Sequence, residues 1–80
     1  MINKGQIVYY ARILPTVDIF EILELKIRTV EEFYFVGTDN NTQQAFLFSN
    51  KAINKTVFFE RKDALKIVKK AEKSLKNAQI

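Results

Sequence analysis

Cysteine and histidine are both missing from this chain of 80 residues. The first absence excludes disulfides and thiolate metal sites, and it fits a reducing compartment. The second removes the commonest metal ligand and the usual base at neutral pH. Neither a Ser/His/Asp nor a Cys/His catalytic set can be assembled. Proline occurs once and glycine twice, with no Gly-rich phosphate loop, low-complexity tract or linker. No apolar run approaches the roughly 20 residues that a membrane span requires. The residues after Met1 do not resemble a secretory signal, so the expectation is a cytoplasmic protein with no membrane partner.

What is present is the composition of a small folded domain, 48% hydrophobic and 12% aromatic. A chain of this length buries only about 60% of its unfolded surface, so its core has little redundancy. The net charge of +4 conceals an asymmetry. Residues 1–50 carry four basic and six acidic side chains, whereas residues 51–80 carry nine basic and three acidic. The excess of positive charge belongs to the last thirty residues.

Those residues contain a helical repeat spanning about 61–77. At 100° per residue, Ala64, Val68, Ala71, Leu75 and Ala78 form an apolar line flanked by Ile67. Lys62, Lys66, Lys69, Lys70, Lys73 and Lys76 fall within an arc of about 120° on the opposite side. Glu60 is the N-cap position, a weaker cap than Ser, Thr or Asp.

The first sixty residues read as strands at about 6–14, 18–30, 31–38, 43–49 and 56–59. In the first, Ile7, Tyr9, Ala11 and Ile13 share one face while Val8, Tyr10 and Leu14 occupy the other. A strand apolar on both faces is covered on both. The second changes parity: Leu23, Leu25 and Ile27 alternate with charged residues, but Phe20 and Ile22 have the opposite parity. A bulge or bend near Ile22 would return both sets to one core. Asp39 to Thr42 is a polar turn, and Asn50 to Asn54 a single helical turn. The pattern is mainly β (α+β) and predicts one domain over residues 1–80. The architecture expected is a five-stranded SH3-like barrel or a strongly bent antiparallel sheet. One C-terminal amphipathic helix caps it, laying Ala64, Val68, Ala71 and Leu75 on the sheet.

The segment Lys55-Thr56-Val57-Phe58-Phe59-Glu60-Arg61-Lys62-Asp63-Ala64-Leu65 resembles the C-terminal strand and helix of small uncharacterised proteins from Gram-positive bacteria, their phages and prophages. Gly5-Gln6-Ile7-Val8-Tyr9 resembles their opening strand, and Leu25 to Val30 and Ala45 to Ser49 are also similar. Glu60 is a departure, since such proteins often have Thr there. The resemblance implies the fold and a mobile-element context but supplies no activity.

One arrangement is enzyme-like. Asp18 with Glu24-Leu25-Lys26 has the order of a metal-dependent nuclease, two carboxylates for a divalent cation and a lysine to orient water. Glu24 and Lys26 are equally the solvent side of an alternating strand, and the chain is short for a nuclease core. The reading adopted is non-enzymatic, with no metal and no cofactor. The first expectation is a binding protein of phage type, in one form an inhibitor of a host defence system such as an anti-CRISPR, acting on a host protein or protein–nucleic-acid complex. The alternative is direct DNA or RNA binding through the lysine side of the helix. The binding residues singled out are Lys62, Lys66, Lys69, Lys70, Lys73, Lys76, Phe46, Phe48 and Tyr34. A homodimer through the helix or an edge strand is compatible with the same features.

Overall fold

The computed structural model describes residues 2–78, with side chains described as far as Leu75. Strands β1 (Ile7–Leu14), β2 (Ile19–Val30), β3 (Tyr34–Asp39), β4 (Ala45–Ser49) and β5 (Val57–Phe58) are followed by helix α1 (Arg61–Ala78). They form one antiparallel sheet in the order β4-β3-β2-β1-β5. Pro15 opens a 3-10 turn at Pro15–Val17, and Asp18, left-handed at φ 55°, closes it. The fold is therefore α+β and mainly β.

The sheet is strongly curled. Were it flat, β1 and β4 would lie three strand spacings apart, about 14 Å. Instead the Tyr10 ring of β1 meets the Phe48 ring of β4 edge-on at 4.8 Å between centroids, and Phe46 at 5.6 Å. Phe35 of β3 stacks on Phe48 at 5.2 Å. This concave face is the main core, built on Val8, Leu25, Ile27, Phe35, Phe48 and Val57. Gly37 of β3 lies close against the Leu25 side chain of β2. A Cβ there would stand 3.1 Å from Leu25 Cβ, so a larger residue would press on the Leu25 side chain. The curl stops short of a barrel: no ladder joins β4 to β5 among the described residues. Ala52 and Ile53, in the connection between those two strands, pack against the concave core.

The parity change in β2 has a different resolution from a bend at Ile22. Pairing with β1 runs unbroken from Leu14↔Ile19 to Ile7↔Lys26. Phe20 and Ile22 therefore stay on the convex face, where they join Tyr9, Ala11, Ile13 and Phe58 in a second core under α1. A helix on that side gives the second parity its own place to be buried, so no bend is required. The register shift lies later, between Ile27 and Thr29, with Arg28 as the extra residue of a bulge. The two residues of β5 connect the cores: Val57 enters the concave one and Phe58 the one beneath the helix.

Helix α1 covers β1, β5 and part of β2 through Ala64, Val68 and Ile67. Its apolar line does not lie on the sheet throughout. Ala71 and Leu75 are half-buried and belong to neither core, and the Ala78 side chain lies outside those described. An 18-residue helix is about 27 Å long, and the molecule extends 43 Å along its longest axis.

Phe35→Ala, at a fully buried position, is expected to cost about 3–5 kcal/mol, and Gly37→Ala about 1–3 kcal/mol through overpacking against Leu25. Leu47→Ala, 69% exposed, should stay within about 0.5 kcal/mol of the parent. Urea unfolding followed by circular dichroism measures all three.

Candidate functional site: a cationic helix and a cationic recess

The lysine side of α1 forms for a local reason. Its residues are good helix formers, and Ala64 and Val68 anchor one side to the sheet, leaving the other to solvent. Glu60 stands at the N-terminus, its carbonyl accepting the amides of Asp63 and Ala64 at 3.2 and 3.5 Å. Asp63 lies in the first turn, favourable to the helix dipole. Lys62, Lys66, Lys69, Lys70 and Lys73 are all exposed. Lys76 has its side chain outside those described. Lys62 approaches Glu60 at 3.6 Å across solvent, and among the described residues the other four have no carboxylate within ion-pair distance.

These lysines oppose one another. Lys62–Lys66, Lys66–Lys70 and Lys69–Lys73 are like-charge pairs four residues apart, each destabilising by about 0.2–0.5 kcal/mol. The helix thus maintains a concentrated positive surface at some cost to its own stability.

The aromatic residues named with the lysines separate from them. Phe48 is a core residue, and Phe46 packs partly buried beside it. Their parity in β4 points them into the concave face, because curling brings that strand over Tyr10. Phe48 therefore offers no stacking surface to a partner, and Phe46 offers only part of its ring. Tyr34 is on the other parity and is exposed, beside Leu47 on β4 and near Phe33, which is 75% exposed.

The nuclease-like residues do not converge. Asp18 is at the β1–β2 tip and Glu24 is six residues further along β2, about 20 Å away at strand rise. Glu24 accepts a hydrogen bond from Asn40 Nδ2 at 3.0 Å. No group of three or more acidic side chains with metal-holding geometry occurs among the described residues.

A second cationic feature was not legible in the sequence. Lys4, Lys26 and Arg28 surround a recess of about 460 Å³ together with Thr38, Asn40 and Gln43. Lys26 and Arg28 are two residues apart in β2, a weak signal on its own. Lys4 joins them only because the amide of Gly5, left-handed at φ 89°, donates to the Ile27 carbonyl at 2.7 Å. The opposite wall is the β3–β4 loop, organised by the buried Asp39, whose carboxylate accepts the amides of Asn41 at 2.7 Å and Thr42 at 3.4 Å. The left-handed residue of that loop is Gln43 (φ 64°), rather than either asparagine. Its amide donates back to the Asp39 carbonyl at 2.9 Å, and Asp39 pairs with the next residue, Gln44.

Comparison with protein-family models, with curated proteins and with solved structures finds no match to this chain.

Lys66→Glu places a carboxylate four residues before Lys70 and four after Lys62. It is expected to stabilise the protein by about 0.5–1 kcal/mol at low ionic strength. Thermal unfolding in low and high salt measures this, and the gain should shrink as salt screens the pairs.

Proposed function

We propose that this protein acts by binding rather than by catalysis, and that its partner is a nucleic acid engaged through the lysine side of α1. The observation that carries this reading is the row of exposed lysines, four of them without an ion-pair partner among the described residues, held along one helix. Ammonium groups repeated along a helix suit a phosphate backbone. They act as point charges and favour contact without sequence reading, because lysine lacks the planar fork of arginine. Phe48 is buried and Phe46 partly buried, so of the aromatic residues first expected at the surface Tyr34 is the exposed one, and the lysine row is the larger exposed set that supports this reading.

A second reading is supported by the exposed Leu47, Tyr34 and Phe33 on and beside the β3–β4 edge. These are side chains suited to a protein partner. Under that reading the protein is an inhibitor of the mobile-element type acting on a host defence complex. The resemblance to phage and prophage proteins is its other support. Leu47→Asp would then abolish association with the host complex and leave oligonucleotide binding unchanged.

Fluorescence anisotropy with labelled duplex and single-stranded oligonucleotides tests the first reading. If about four lysines contact phosphates, affinity should fall on the order of a hundredfold between 50 and 200 mM salt. The combination Lys66→Glu, Lys69→Glu and Lys73→Glu should eliminate binding while the fold persists. Absence of binding at low salt, or binding insensitive to salt, would contradict the proposal.

A further inference from the structure

We infer that the recess between the N-terminal turn and the β3–β4 loop is a binding site for a nucleoside phosphate. This site is distinct from the helix and does not depend on its lysines. Three chain segments far apart in sequence build it, and each is pinned in place. The N-terminal turn is tied to β2 by Gly5 N–H to Ile27 O at 2.7 Å and by Ile27 N–H to Gln6 O at 2.8 Å. The bulge at Arg28 breaks the pairing of β2 with β3 beside Lys26, as bulges do where a strand re-aims a side chain. The loop that supplies Asn40 and Gln43 is closed by the buried Asp39.

The chemistry of the lining selects the ligand. Lys4, Lys26 and Arg28 meet no carboxylate within ion-pair distance among the described residues. Three like charges are thus gathered by backbone hydrogen bonds with no ion-pair partner among the described residues. A guanidinium can grip a phosphate through two parallel hydrogen bonds, and the two ammonium groups add charge. Glu24 is the acidic neighbour, and it is engaged by Asn40. A recess of about 460 Å³ is within the range of small-molecule sites and leaves room beyond a phosphate. The polar groups bordering that room are the Thr38 hydroxyl and the side-chain amides of Asn40 and Gln43. One N–H of each amide is already engaged, Asn40 with Glu24 at 3.0 Å and Gln43 with the Asn40 carbonyl at 3.2 Å, which leaves the amide oxygens and second N–H groups for the edge of a base.

The ligand has two sources, a free mononucleotide or one unit of a single strand. Two-dimensional amide NMR on the full chain, titrated at low salt with adenosine monophosphate, adenosine, inorganic phosphate and a short single-stranded oligonucleotide, separates them. The monophosphate is expected to shift Gly5, Ile27, Arg28 and Thr38 saturably, and adenosine is expected to shift none. The combination Lys26→Gln and Arg28→Gln should weaken binding by at least about tenfold. Lys4→Ala, in a turn outside the ladder, should weaken it without touching the sheet, so the test survives if the strand variants fail to fold. The variant Lys66→Glu, Lys69→Glu, Lys73→Glu should bind the monophosphate unchanged even where it no longer binds long oligonucleotides. Equal affinity for monophosphate and oligonucleotide supports the free nucleotide, and much tighter oligonucleotide binding through the same residues supports the strand. No saturable shift with either, binding that survives loss of Lys26 and Arg28, or equal affinity for inorganic phosphate would overturn the assignment.

Discussion

The contact on which the structure depends is the meeting of Tyr10 with Phe46 and Phe48 across the concave face. Aromatic rings reach far from the backbone and bury large areas. In an eighty-residue chain with little apolar surface to spare, they close a core that short strands could not close with aliphatic side chains alone. Curling the sheet is how three strand spacings are brought within ring contact. At Gly37 the missing side chain leaves room for Leu25. The concave face ends beyond these rings in a cross-strand ion pair, Arg12 to Glu21 at 3.1 Å. That pair is partly exposed and worth about 1 kcal/mol at most.

Curling in one direction makes the other face convex, and this decides where α1 goes. The helix covers the apolar part of that face, over Tyr9, Ala11, Ile13, Phe20, Ile22 and Phe58. Further along the same parity of β2 stand Glu24 and Lys26, and across from Lys26 is Thr38 of β3. The convex face therefore passes from a buried apolar half to an open polar half within one strand. The cationic recess lies against that polar half. Two concentrations of positive charge, along the helix and at the sheet surface, are thus built from separate parts of the chain.

Much of this was legible in the residues. Alternation in β1 on both faces required a cover on both, and the structure has one core on each side of that strand. The helical repeat after Glu60 separated apolar from lysine positions, because a period of 3.6 sorts side chains before any tertiary contact forms. Other features were not legible. Phe20 and Ile22 carry a parity that either a bulge or a second core can satisfy, and pattern does not choose between them. Phe46 and Phe48 alternate with Ala45 and Leu47, so local order alone left open which set faces inward. The recess was invisible because Lys4 and Lys26 are brought together by a backbone hydrogen bond between distant segments.

By itself the sequence determined the element types, the two-sided burial of β1, the absence of thiol and imidazole chemistry, and a helix with opposed apolar and cationic sides. These follow from periodicity and composition, which act within a few residues. The tertiary structure alone decided that the sheet curls without closing and that the bulge falls at Arg28 instead of Ile22. It also decided that the β4 phenylalanines are core and that three separated cations share one recess. Each of those outcomes depends on which strands come within reach of one another, and that distance is set by packing across the whole sheet.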